Sequence, residues 1–357
     1  MTNSSLSSVL KRSLAVFGTA LLAGGCGESA PKVVTVDDLV DEAAERLSLG
    51  QIPEARTAIS NAYAMASGDV DVRLLKAQID FHSRGDGDLE SAAALYRGIA
   101  NDESLDRKVR SQGWAGLGVL DRFANERDAA RLDLLRALRM DGKNASAWYN
   151  LGCVYRDSFG FNEAACDCFE NFVRLETNDL ERVAKTQRTY IRDLREERTN
   201  TILEIPGSRN ANATACNAAL LAAEAAVKKG TFKTARLRYD EALKADPTSF
   251  KAALGMARMC LKTDPSEAGR KAALDYYYRA CKLGPSSVST FIAAGDLAYS
   301  TSGGIVSAIG YYSRAMAADP TNTTAIDGLI RSLRKNKQKN TADAYQLYRD
   351  FLSKKFR

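Results

Sequence analysis

The sequence predicts an all-α protein of stacked helical hairpins, an α-solenoid, and three observations carry that prediction. Only seven of the 357 residues are proline, and alanine, leucine and arginine, which lose little freedom in a helix, are abundant. A pattern also returns at fixed period: Trp114-Leu117-Gly118 recurs as Trp148-Leu151-Gly152, 34 residues on. No stretch reads convincingly as a strand. With 45% hydrophobic and 26% charged residues and a formal net charge of +6, the chain is not a disordered tail and has material for a long core. Its single histidine, His82, excludes His-based triads and zinc sites with two or more histidines within one chain.

The first element is a leader. Residues 1–25 contain no acid, carry Lys11 and Arg12, and run through an apolar stretch from Leu14 to Ala23 into Gly24-Gly25-Cys26. About ten apolar residues behind a positive start are too few to span a bilayer and read as an export signal. Leu22-Ala23-Gly24-Gly25-Cys26 resembles a bacterial lipobox. That resemblance implies cleavage before Cys26, lipidation of its sulfur and stable anchoring by two or three acyl chains, where one chain would bind marginally. Gly27 rather than aspartate after the cysteine favours, by the same resemblance, an outer-membrane lipoprotein facing the periplasm. Residues 26–35 are then a short tether. Removal of Lys11 and Arg12 with no acid lowers the charge from +6 to +4, too mild to argue for nucleic acid.

The repeats follow. Trp114-Leu117-Gly118, Ala130, Leu134 and Ala137 lead into Trp148-Leu151-Gly152-Tyr155. Further on, Gly230-Phe232-Ala235-Tyr239-Ala242-Pro247 is followed by Ala273-Tyr277-Ala280-Pro285 and by Gly295-Tyr312-Ala315-Pro320. These resemble tetratricopeptide repeats. Small residues at positions 8 and 20 of that pattern let two helices cross closely, large residues at 4, 11 and 24 fill the space between, and proline at 32 stops the second helix. In this register the chain holds two blocks of four repeats: 36–69, 70–110, 111–144 and 145–178, then 216–249, 250–287, 288–322 and 323–357. The resemblance implies a right-handed superhelix in each block. Residues 179–215 fit no repeat. Leu180, Val183, Ala184, Tyr190, Ile191 and Leu194 form the apolar stripe of a helix capping block 36–178, and Pro206 to Ala213 is breaker-rich, a flexible joint before block 216–357.

Chemistry-bearing residues are sparse. Six cysteines follow Cys26: Cys153, Cys166, Cys168, Cys216, Cys260 and Cys281. An even number in an exported chain permits disulfides, while small residues at close helix contacts explain them equally well. Cys166 and Cys168 point about 200° apart on a helix, poor geometry for a shared metal. His82, beside Phe81 and Arg84, reads as solvated or half-packed. Glu196-Glu197 are adjacent on a helix and form a solvated face. No glycine pattern follows a strand, so phosphate cradles are unsupported. No metal, cofactor or catalytic site is expected, and the enzyme reading is set aside.

The register places the concave-face positions of the first helix of each hairpin at Phe81, Arg122, Phe123, Tyr149, Arg156, Lys228, Arg258, Lys262, Tyr299, Arg331, Arg334 and Lys335. Acids there are fewer: Asp37, Asp71, Asp157, Glu224, Asp296 and Asp327. A basic groove studded with aromatics suits an acidic extended peptide or a free carboxylate. The expected function is a non-enzymatic, lipid-anchored scaffold in the bacterial envelope, touching the membrane only through its N-terminal lipid. The alternative is a structural protein that associates with itself.

Overall fold

The computed structural model describes residues 34–354 except 86, 176–180 and 285–286. The leader 1–25, Cys26 and the tether as far as residue 33 lie outside the described residues, as do the expected stop at Pro285 and Leu180 of the apolar stripe. Among the described residues every regular element is helical and none is long and apolar enough to cross a membrane.

Hairpins follow one another in chain order. The first is α1 (Val36–Ser48) with α2 (Ile52–Met65), then α3 (Val70–Ser83) with α4 (Asp88–Asn101), and α5 (Arg107–Phe123) with α6 (Arg127–Met140). In the fourth, α7 (Ala145–Val154) runs into a π-turn (Tyr155–Phe159) before α8 (Asn162–Leu175). A longer helix, α9 (Glu181–Leu203), and a 3-10 turn (Ser208–Asn210) separate it from the next. The remaining pairs are α10 (Ala213–Lys228) with α11 (Phe232–Ala245), α12 (Phe250–Thr263) with α13 (Glu267–Leu283), α14 (Val288–Ser300) with α15 (Ile305–Ala318), and α16 (Thr323–Lys335) with α17 (Lys339–Ser353). The third pair starts at Arg107 rather than 111 because Asp106 accepts from the Lys108 amide, and α10 starts at Ala213 rather than 216 because Asn212 accepts from the Ala215 amide. The breaker-rich segment is tied down as well, since the Asn212 amide donates to the Ala245 carbonyl at 2.8 Å.

Two local devices build the hairpins. Inside a pair the chain reverses through a left-handed residue: Gly50, Gly160 and Gly230 do this at no steric cost, while Asn125 (φ 61°) and Lys337 (φ 61°) do it with a side chain. Asp141, Asp246 and Asp319 between pairs, and Asp264 inside the α12–α13 pair, each end a helix in the same extended conformation, φ between −139° and −144°. Each carboxylate accepts from the amide two residues on, at Lys143, Thr248, Ser266 and Thr321, which holds the turn. Proline after three of these aspartates keeps the aspartate extended and out of the helix.

Small residues set the packing distances. Tyr312 on α15 is fully buried between two glycines, Gly295 on α14 of its own hairpin and Gly328 on α16 of the next. A Cβ on Gly328 would stand 2.3 Å from the Tyr312 ring, so only glycine allows α16 to approach this closely. Tyr239 holds the same place against Gly255, and Phe169 against Gly152. The pattern thus requires a small residue facing the preceding hairpin as well as the one at the crossing within a hairpin.

Packing divides the described residues into two units: those within 34–126, 133–150 and 171–186, and those within 127–132, 151–170 and 187–354. In the first, Leu39, Ile59, Leu75 and Ile79 centre the core of α1 to α3, and Phe81 packs with Ala77, Ala92 and Val119. In the second, one cluster joins α10 to α13 around Tyr239 and Met256, and another joins α12 to α16 around Tyr277 and Phe291. This unit also ties the start of α6 to the last helix. Arg131, 1% exposed, donates to Asp128 and to the Tyr345 hydroxyl of α17, and its guanidinium lies 4.3 Å from the Phe159 ring centroid.

Candidate functional site

The twelve sequence-predicted groove residues fall into several settings. In the first unit Phe81, at 7% exposed, is a core side chain, so its assignment to the groove is corrected: its ring turns inward among Ala77, Ala92 and Val119. Phe123 at 54% exposed meets it edge-on at 5.1 Å between centroids. Arg84 lies over both rings and Arg122 over Phe123. His82 stands edge-on to Phe81 and is exposed; partial burial, then the Arg84 charge, hold its pKa below the usual imidazole value. Tyr149 leans on Phe172 at 5.2 Å.

In the second unit Arg156 is neutralised by its neighbour Asp157, at 2.5 Å and 3.0 Å, and rests over the Phe169 and Tyr190 rings. Lys262 lies over Phe232, and Lys335 lies over Tyr299 at 4.3 Å while donating to the Tyr299 carbonyl at 3.3 Å. Arg334 reaches Asp343 at 3.7 Å, and Lys228 is exposed.

The more ordered feature of this unit is a row with one charge per hairpin, on the first helix of each: Glu224 on α10, Arg258 on α12, Asp296 on α14 and Arg331 on α16. The signs alternate. Buried tyrosines from the second helices set their hydroxyls beside the row. Tyr239 is flanked by Glu224 and Arg258, Tyr277 faces Arg258, and the Tyr312 hydroxyl donates to Asp296 at 2.5 Å. Burial raises the pKa of all three phenols, with Glu224 adding to it at Tyr239 and Asp296 at Tyr312, so each keeps its proton. Arg331 lies 3.8 Å from Asp296 and over the Tyr299 ring. The sequence marks the tyrosines as packing residues, and only the fold reveals that their polar ends reach this row. Lys228, Lys262, Arg334 and Lys335 add cations on the same helices, so basic groups exceed acids there.

All six described cysteines are buried, and burial pushes the Cys166 thiol up to about 11 and the Cys281 thiol up to about 12, far from thiolate chemistry. Among the described residues no cluster of three or more His, Cys, Asp or Glu could hold a metal ion.

Residues 220–288 match the tetratricopeptide-repeat family model. No curated protein sequence matches the chain. Similar solved structures include a chain of the APC/C hetero-tetramer Cut9-Hcn1, 15% identical with a TM-score of 0.36, covering 83% of this chain and 55% of that one. This chain therefore spans about half the length of that protein. The pilF protein of Pseudomonas aeruginosa is 15% identical with a TM-score of 0.32, covering 69% and 93%. YrrB, described as a TPR protein with an unusual peptide-binding site, is 16% identical with a TM-score of 0.28, covering 65% and 95%. Likenesses this distant carry no functional argument. The helical hairpins establish an all-α repeat fold, and residues 220–288 match the tetratricopeptide-repeat model.

Proposed function

We propose that the protein is a non-enzymatic scaffold that binds an extended segment of a partner protein along the row Glu224, Arg258, Asp296 and Arg331, with acidic side chains of that segment on the surrounding cations. The observation that carries this reading is the row itself. Its charges stand at matching places on successive hairpins beside tyrosine hydroxyls held by buried rings, so a ligand meets groups already ordered. We further propose that the chain is exported, lipidated at Cys26 and held at the outer membrane facing the periplasm. In this reading two repeat blocks, 36–178 and 216–357, stand either side of the segment 179–215.

Affinity capture from detergent-solubilised envelopes tests both parts, with Cys26→Ala as the control for anchoring and the triple variant Arg258→Glu, Lys262→Glu, Arg331→Glu as the control for the row. The scaffold reading expects one envelope component retained at modest salt by the lipidated protein and lost from the triple variant at unchanged helicity. Retention by the triple variant places the contact elsewhere, and recovery of the protein alone favours self-association. Mass spectrometry of the mature N-terminus decides lipidation directly.

A further inference from the structure

A second recess lies in the same unit, away from the charged row. The π-turn ends at Gly160 in the left-handed conformation (φ 63°), and from there Phe161 and the first turns of α8 face α14 and α15 across a small open cleft of about 170 Å³. Single-turn π segments widen a helix by one residue and recur at functional positions.

The walls differ in character. Phe161, Phe291 and Ala317 supply apolar surface. Arg314 on α15 is exposed and lies 5.8 Å from the Phe161 ring centroid, and among the described residues it has no carboxylate within ion-pair distance. The acids lining the cleft are engaged or disfavoured as charges. Glu163 is paired with Arg198 of α9 at 3.4 Å, and burial followed by Glu170 and Glu163 pushes the Asp167 carboxyl above its usual range. The cleft thus offers an aromatic floor and one guanidinium with no carboxylate partner among the described residues.

We infer that this cleft binds the free C-terminal end of a polypeptide whose last residue is apolar, its side chain on Phe161 and Phe291 and its terminal carboxylate on Arg314. A chain end joins one apolar side chain to one carboxylate at a single residue, the same pairing the cleft offers. The cleft shares no residue with the charged row, so the inference does not depend on that reading. Guanidinium recognition of a carboxylate is a charge-assisted, two-point contact, and the ring beneath it restricts the arginine's freedom.

The test uses the mature protein and a fluorescein-labelled hexapeptide of glycine and serine ending in phenylalanine, measured by fluorescence anisotropy as the free acid and as the C-terminal amide. The acid is expected to bind about ten- to a hundredfold more tightly than the amide. Arg314→Ala abolishes that preference at unchanged helicity and unfolding midpoint, Arg314→Lys keeps part of it, and the Arg258→Glu, Lys262→Glu, Arg331→Glu variant keeps all of it. Equal binding of acid and amide, no binding of either, or a preference that survives Arg314→Ala overturns the inference. Octanoate is the competing probe: displacement of the peptide by octanoate as readily as by unlabelled peptide assigns the cleft to fatty acids and overturns it too.

Discussion

Replacing Gly328 by alanine isolates the close approach on which the second unit's packing rests. The added Cβ would lie 2.3 Å from Cε1, 2.5 Å from Cζ and 2.6 Å from Cδ1 of Tyr312. Carbon atoms settle at roughly 3.5 Å or more, so the ring would have to retreat by about 1 Å. It has nowhere to go: Tyr312 is fully buried, and its other face lies against Gly295, whose own missing Cβ would stand 2.9 Å away. Overpacking of this kind costs about 1–3 kcal/mol, while alanine in place of a mid-helix glycine returns about 1 kcal/mol, so Gly328→Ala should destabilise by roughly 0–2 kcal/mol. In a Tyr312→Leu background the obstruction is gone and the same alanine should stabilise by about 0.5–1 kcal/mol. The coupling between the two positions is then about 2 kcal/mol, within the range double-mutant cycles resolve for residues in contact. Urea unfolding of the four proteins followed by far-UV circular dichroism measures it. A Gly328→Ala effect of the same sign and size in both backgrounds would refute the close-approach argument.

Two further perturbations probe the turns and the buried charges. Lys337→Gly should raise stability by about 0.5–1 kcal/mol, because φ of 61° strains a side-chain-bearing residue and suits glycine; an unchanged urea midpoint would refute this. Burial, with Asp133 and Glu126 nearby, pushes the Asp121 carboxyl up to about 7, against partial relief from Arg97 and Arg136. The folded chain therefore holds a proton that the unfolded chain releases near pH 4, and stability falls as pH rises from about 4 to about 7. Asp121→Asn should flatten that part of the pH–stability profile, and an unaltered slope would exclude Asp121 as its source.

The hairpins were legible in the sequence because each is specified by local chemistry: apolar residues on one face, small residues at the crossings, and, after several second helices, a proline that stops the helix. Boundaries slipped where a cap outranked the period, as at Asp106 and Asn212. The π-turn was not legible, since Tyr155-Arg156-Asp157-Ser158-Phe159 has no signature that separates it from a continuing α-helix. Phe81 was misplaced for a related reason: helical periodicity fixes the direction of a side chain and says nothing of how deep the neighbouring helix lies. The charged row was readable residue by residue, in Arg258 and Arg331 on one side and Glu224 and Asp296 on the other. Its pairing with tyrosine hydroxyls was not, because each tyrosine comes from a separate helix. The contact of Arg131 with Tyr345 joins residues 214 apart, a separation that no local pattern anticipates.

The aspartate joints have a consequence for how an array of this kind changes length. Each is closed by hydrogen bonds within a span of three residues and adopts nearly the same backbone angles at Asp141, Asp246, Asp264 and Asp319. A joint so self-contained sets the heading of the following helix without consulting distant parts of the chain. Duplicating or deleting one hairpin in register therefore transfers a complete instruction for direction, and only the facing surfaces need adjust. Growth of the array becomes a matter of copying rather than redesign, and each copied first helix brings one more position at which the sign of a charge can be chosen.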